Sequence, residues 1–193
     1  MNISAKTLQE DLLYYSNFLN RKIQTELWEE IFTHIHLEHD RVKIFGKEHI
    51  TGRQTAWVGD PEAAYTYSGI TKSPQPWTPV LQETKELIEN VLDIEFNSCL
   101  INHYRTGADY MGWHSDNEKE LGEKPFIASL SLGALRKFKC KKKDSDEQID
   151  VCLETGSLLL MKGRFQQDWK HALPKSLKVQ EARLNLTFRK IIR

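Results

Sequence analysis

The sequence predicts a mainly β protein of the α+β class, with helices packed outside a sandwich or barrel. Three observations predict it. Short β-branched and aromatic runs crowd the second half of the chain. Gly107, Gly112, Gly122, Gly133, Gly156 and Gly163 punctuate those runs. Helical periodicity is confined to two stretches of the first half. With 193 residues, 39% of them hydrophobic, the chain can bury one sizeable core, which excludes a disordered protein. Lysine plus arginine and aspartate plus glutamate each number 27, so affinity for a polyanion must come from charge distribution rather than net charge. Cys99, Cys140 and Cys152 form no disulfide framework and no C-x-x-C pair, as expected in a reducing compartment. No secretory leader and no 18-residue apolar run is visible, so the expectation is a soluble, intracellular protein away from membranes; a monomer is expected.

Along the chain, Asn20 can cap a helix in which Ile23, Leu27, Ile31 and Ile35 recur at spacing four. From Arg41 the period shortens: Val42 and Ile44 run as a strand into a Phe45-Gly46 turn, and Tyr65 to Gly69 has the same character. Trp77 to Leu92 predicts a second helix with Pro79 in its first turn and Val80, Leu81, Leu87, Ile88 and Val91 on one face. The later strands are expected at 98–105, 127–132, 137–142, 149–153, 157–161 and 183–191.

Three constellations carry chemistry. In extended backbone His114 and Asp116 point to one face, and His171 follows downstream. H-x-D alone also fits a solvated pair; with a second imidazole it makes a facial two-histidine, one-carboxylate set suited to Fe(II) rather than structural zinc. Arg183 to Arg189 alternates strictly, so Arg183, Asn185, Thr187 and Arg189 share one face against Leu184, Leu186 and Phe188. If the leucines face a core, two guanidiniums look into a water-poor cleft where a dianion would satisfy them; a solvated edge strand is the alternative. Asn102 and Tyr104 share a third face, offering an amide and a phenol. From Lys124 to Lys143 every charged residue is basic, whereas Glu118, Glu120 and Glu123 follow the H-x-D. Such a basic strand could neutralise phosphates or be a solvated hairpin.

Asn102-x-Tyr104, His114-x-Asp116-x-Glu118, Ile127 to Gly133, Gly156 to Leu159, His171-Ala172-Leu173-Pro174 and Arg183 to Arg189, in this order, resemble the AlkB family of Fe(II)- and 2-oxoglutarate-dependent dioxygenases. Upstream, Ile44 to Lys47, Arg53-Gln54, Gly59-Asp60, Tyr65 to Gly69 and Pro76 to Leu81 are similar to the animal-type members that repair duplex DNA. The resemblance implies a double-stranded β-helix (jelly-roll) core. It implies one dioxygenase domain over 1–193: an N-terminal helical extension (1–40), a nucleotide-recognition lid with its supporting helix (41–95) and the catalytic core (96–193). It implies Fe(II) on His114, Asp116 and His171, and 2-oxoglutarate and O2 as cosubstrates. Arg183 and Asn185 would hold the distal carboxylate of 2-oxoglutarate, Arg189 would contact its metal end, and Asn102 and Tyr104 would complete the pocket. Base contacts would be Arg53, Tyr65, Tyr67, Ser68 and Glu118, with Phe45 as an apolar wedge that fills the duplex where a base is flipped.

The implied reaction is oxidative demethylation of 1-methyladenine- and 3-methylcytosine-type bases, direct reversal of alkylation damage, with release of formaldehyde, succinate and CO2. The implied partner is alkylated DNA, duplex before single strand, with RNA as an alternative polymer, in a nucleus or a bacterial cytoplasm. A non-catalytic nucleic-acid-binding barrel and an oxygenase of proteins or small molecules are the rival readings. The stretch Pro174 to Lys178 departs from the similar proteins in having fewer consecutive basic residues.

Overall fold

The structure, a computed structural model, describes residues 4–44, 47–63, 65–67 and 70–192; for 42–44, 47–49, 65–67 and 70–72 it describes the backbone alone. The expected first helix is α1 (Arg21–His34), and Asn20 Oδ1 accepts from the Ile23 amide at 3.1 Å. The second, α2 (Pro79–Leu92), begins two residues later than its sequence pattern suggested. Trp77 lies before it, stacked on Phe188 at 6.4 Å between centroids and donating Nε1 to Asp60 Oδ1 at 2.7 Å. Val91, expected on the packed face, is exposed.

Glu30 of α1 ties the two helices together. Its carboxylate accepts from the amides of Val80 and Leu81, both at 3.0 Å, and from the Thr78 hydroxyl. A neighbouring helix thus satisfies amides that the start of α2 leaves unpaired, and places negative charge at its positive end. Glu30→Ala is therefore expected to cost about 1–2 kcal/mol, read from the urea unfolding midpoint.

The strands form two main layers. The first sheet contains β1 (Lys6–Gln9), β2 (Leu12–Tyr15), β12 (Ser157–Met161), β9 (Ile127–Gly133), β14 (Arg183–Arg189), β7 (Ser98–Tyr104), β4 (Lys47–Gly59) and β3 (Glu38–Ile44), in that spatial order. The second runs β11 (Gln148–Leu153), β10 (Arg136–Lys142), β13 (Trp169–Leu173) and β8 (Met111–His114). A separate hairpin pairs β5 (Tyr65–Tyr67) with β6 (Ile70–Lys72), and the short α3 (Phe165–Asp168) leads into β13. Two antiparallel sheets face to face, with helices outside, match the expected jelly-roll class. Among the described residues no helix is long and apolar enough to cross a membrane.

The first 40 residues differ from the helical extension expected of them. The β1–β2 hairpin joins the large sheet, β2 pairing with β12 from Tyr15↔Leu158 to Leu12↔Met161. Residues 41–59 likewise extend that sheet through β4 on β7. Phe45, Gly46, Ser68 and Gly69 lie outside the described residues, so the wedge and one base contact are not placed.

The core has two compartments. Outside the large sheet, Leu27 and Ile31 of α1 and Leu81 and Ile88 of α2 cover Ile101, Leu130, Leu184, Leu186 and Phe188. Between the sheets lie Trp57, Tyr104, Phe138, Leu159, Met161, Phe165 and Trp169. The strict alternation of β14 is thus read by two different environments. Its leucines seal the helix side, and its arginines enter the space between the layers.

Candidate metal and cosubstrate site

Strand register assembles the site. β13 places His171 opposite His114 on β8, and β14 places Arg183 opposite Tyr104 and Asn185 opposite Asn102 on β7. The two sheets enclose a cavity of about 280 Å³. Ten of the sequence-derived site residues line it: Asn102, Tyr104, His114, Asp116, His171, Arg183, Asn185, Arg189, Arg53 and Glu118. Tyr65 and Tyr67 fall on β5, where only the backbone is described.

His114, Asp116 and His171 bring one potential ligand atom each within 4.8 Å of one another. Their surroundings suit a metal. His114 Nδ1 donates to the Gly112 carbonyl at 2.8 Å, which leaves Nε2 its lone pair. Burial pushes His171 down to about 3 against the pull of Asp116, so its ring is neutral. Its Nδ1 is buried with no partner among the described residues, a cost that coordination of the ring would offset. Asp116 is opposed by its own burial. Arg189, at 2.8 Å from Oδ2, together with both histidines, outweighs that and holds the carboxyl down at about 2. A neutral His171 ring and an ionised Asp116 suit a divalent cation, and the two-imidazole, one-carboxylate composition favours Fe(II) with open positions.

The turn carrying Asp116 is itself held. Its amide donates to Gln166 Oε1 at 2.9 Å, and Ser115 Oγ donates to the Trp169 carbonyl at 2.7 Å. The sequence gives Gln166 no signal: it lies in α3, distant along the chain and outside any motif. Gln166→Leu is expected to weaken Fe(II) binding roughly tenfold in a metal titration, because an outer partner that aims a ligand is lost.

Deeper in the cavity Arg183 is 1% exposed. Its Nη2 donates to Ser131 Oγ at 2.9 Å, while Nε and Nη1 have no partner among the described residues. Burial lowers it to about 10, the nearby Tyr104 opposing and Arg136 adding to that shift. Asn185 is anchored through Nδ2 to Ser129 Oγ at 2.8 Å and to the Leu130 carbonyl at 3.1 Å. Arg53, expected at the base, donates Nε to Asn102 Oδ1 at 2.8 Å and so orients that amide. Glu118 lines the cavity with a buried Oε2 that has no partner among the described residues.

The basic run does not form one uniformly exposed surface. Arg136 is buried and donates Nη2 to the carbonyls of Asp109 at 3.0 Å and Pro174 at 2.8 Å, a structural tie rather than a phosphate contact. Lys137 and Lys139 both meet Asp150, at 3.3 and 3.6 Å. Alternation could have found this: Arg136, Phe138 and Cys140 share the inward face of β10.

A model of the 2OG-Fe(II) oxygenase superfamily matches residues 11–189. The chain is 42% identical over 160 residues to the human protein named DNA oxidative demethylase ALKBH2, covering 79% of this chain and 61% of that protein. It is 45% identical over 158 residues to the human alpha-ketoglutarate-dependent dioxygenase alkB homolog 3, covering 75% of this chain and 54% of that protein. The chain thus spans about three-fifths of the length of these curated relatives or less. A solved structure described as that of OsALKBH1 superposes with a TM-score of 0.71 at 18% identity, covering 97% of this chain and all of the other, a likeness of fold.

Proposed function

Because the chain belongs to the 2OG-Fe(II) oxygenase superfamily, we propose that it demethylates N-alkylated bases in DNA oxidatively. The substrates are of the 1-methyladenine and 3-methylcytosine type, 2-oxoglutarate and O2 are consumed, and formaldehyde, succinate and CO2 are released. The observation that carries the reading is one cavity holding both a His-Asp-His cluster and, beside it, a buried arginine with two unpartnered donor atoms. Relatives named for DNA oxidative demethylation support DNA as the polymer.

His114, Asp116 and His171 would hold the iron, which when bound would supply the O2 activation needed to oxidise the N-alkyl carbon. The chain's own residues do the rest. Arg183 and Asn185 take the distal carboxylate of 2-oxoglutarate, a dianion whose charge matches the buried guanidinium. Arg189 keeps Asp116 ionised and holds it by one oxygen, leaving Oδ1 on the His114 side, 3.6 Å from Nε2. Tyr104 and the Arg53-oriented Asn102 close the pocket wall. Trp57, Leu100, Met111, Phe138, Met161 and Leu173 supply the apolar part of the lining, which lowers the local polarity around those charges. Glu118 faces the substrate end with a free acceptor, and its negative charge selects a cationic base. Tyr65, Tyr67 and Ser68 are assigned to the base and Phe45 to the wedge on the resemblance alone.

The test is formaldehyde and succinate release from an oligonucleotide carrying a single 1-methyladenine, under Fe(II), 2-oxoglutarate and oxygen, with His114→Ala alongside. Base-dependent release that the variant abolishes is the expected result. Succinate without repair would replace the substrate, and no succinate at all would make the chain a binding barrel.

A further inference from the structure

Trp113 and His114 are neighbours on β8, the edge strand of the smaller sheet. The alternation of a strand sends them opposite ways. His114 lines the cavity, whereas Trp113 stands outside it, 43% exposed. Three residues earlier Tyr110, just before β8, is 50% exposed; the register shift of β8 against β13 turns Met111 into the cavity as well as His114, so the residue preceding each falls outside it. Each ring carries an ammonium group: Lys141 Nζ lies 4.6 Å from the Trp113 ring centroid, and Lys175 Nζ lies 4.7 Å from that of Tyr110.

The charge of these lysines is not neutralised locally. Among the described residues neither Lys141 nor Lys175 has a carboxylate within ion-pair distance, unlike Lys137 and Lys139 on Asp150 and Lys142 on Glu147. Lys141 instead pairs in register with Lys170 of β13, and both border a surface pocket with Lys142, Lys143 and the single carboxylate of Asp146. The two lysines without such a carboxylate are thus the ones that lie against the exposed rings.

We infer that the outer edge of β8 is a rail for an unpaired DNA strand, with Tyr110–Lys175 and Trp113–Lys141 each stacking a base and holding a phosphate. The strand then passes over β8 into the cavity that His114 lines. This deepens the demethylase reading and rests on it. Bases in a duplex have their faces closed by one another, whereas unpaired bases each offer a π face to a ring and a phosphate to a cation. Three residues of extended chain span up to about 10 Å, against ~3.4 Å per stacked nucleotide. The two rings accordingly hold different nucleotides of one chain, and the rail acts on bases flanking the target.

The experiment is fluorescence anisotropy of the full chain with an unmodified, labelled 16-nucleotide oligothymidylate and with a 16-base-pair duplex, for wild type, Tyr110→Ala and Lys141→Ala/Lys175→Ala. Each variant is expected to bind the single strand at least five- to tenfold more weakly and the duplex within twofold of wild type. In a second measurement the oligothymidylate quenches tryptophan fluorescence, and Trp113→Phe, which keeps an aromatic ring in place, loses that quenching. Equal weakening for both forms would make the edge a general phosphate patch and overturn the rail, as would unchanged single-strand binding in both variants. Because the probe carries no lesion, the readout is independent of turnover. Rail binding without formaldehyde release counts against the demethylase reading alone, and formaldehyde release with unaltered binding in the variants counts against the rail alone.

Discussion

Arg183→Met is expected to give a protein that is more stable without ligand and no longer binds 2-oxoglutarate. The guanidinium is fully enclosed, makes one hydrogen bond among the described residues, and is lowered from 12.5 to about 10 by burial first of all. That shift corresponds to roughly 3 kcal/mol held against the charged form at neutral pH. Methionine keeps a similar length and removes the charge, at the loss of the single Ser131 bond, worth about 1 kcal/mol. The net gain should be about 1–2 kcal/mol, seen as a higher urea midpoint in the absence of cosubstrate. Adding 2-oxoglutarate reverses the order: at a hundredfold excess over its Kd the wild type gains about 2.7 kcal/mol, and the variant gains nothing. A buried cation whose neutralisation stabilises the empty fold is one kept for its ligand. A variant that loses several kcal/mol in the empty state would instead show Arg183 to be a structural tie, like Arg136.

The contrast between those two arginines marks how far the sequence could be read. Both sit on inward faces of alternating strands. Arg183 was legible because its strand alternates without exception and its apolar face had an obvious destination. Arg136 begins a run in which six of eight residues are lysine or arginine, so bulk charge masked the alternation that buries it. The clustering of His114, Asp116 and His171 was legible because the H-x-D pair is local and the remaining histidine follows a recognisable strand. The β1–β2 hairpin was not: its four-residue strands carry no clean period, and their partner is β12, far along the chain. Gln166 and Ser131 were invisible for the same reason, since only the packed layers bring them to Asp116 and Arg183. Composition and period describe faces; long-range register decides which faces meet.

Asp116→Ala should lose both stability and iron, and His114→Ala iron alone. Both remove one member of the same cluster, but their surroundings differ. Asp116 is 5% exposed and is the carboxylate to which buried Arg189 donates at 2.8 Å. Deleting one partner of a buried pair costs roughly 3–5 kcal/mol, because the other charge keeps its desolvation penalty. His114 has a side chain 34% exposed and one bond to a backbone carbonyl that water can replace, so its loss should cost under about 1 kcal/mol. Unfolding in the presence of a chelator separates the two, and an Fe(II) titration should show neither variant retaining metal. The pH dependence supplies an independent check. The folded Asp116 carboxyl, at about 2, lies below its ordinary 3.8. Its stabilisation is therefore present above pH ~4 and is lost as pH falls toward 2, when the unfolded chain binds the proton first. Asp116→Asn, which cannot titrate, should flatten that limb of the stability profile. A limb that stays equally steep would place the acid-sensitive group elsewhere and remove Arg189–Asp116 as the pair that braces the metal site.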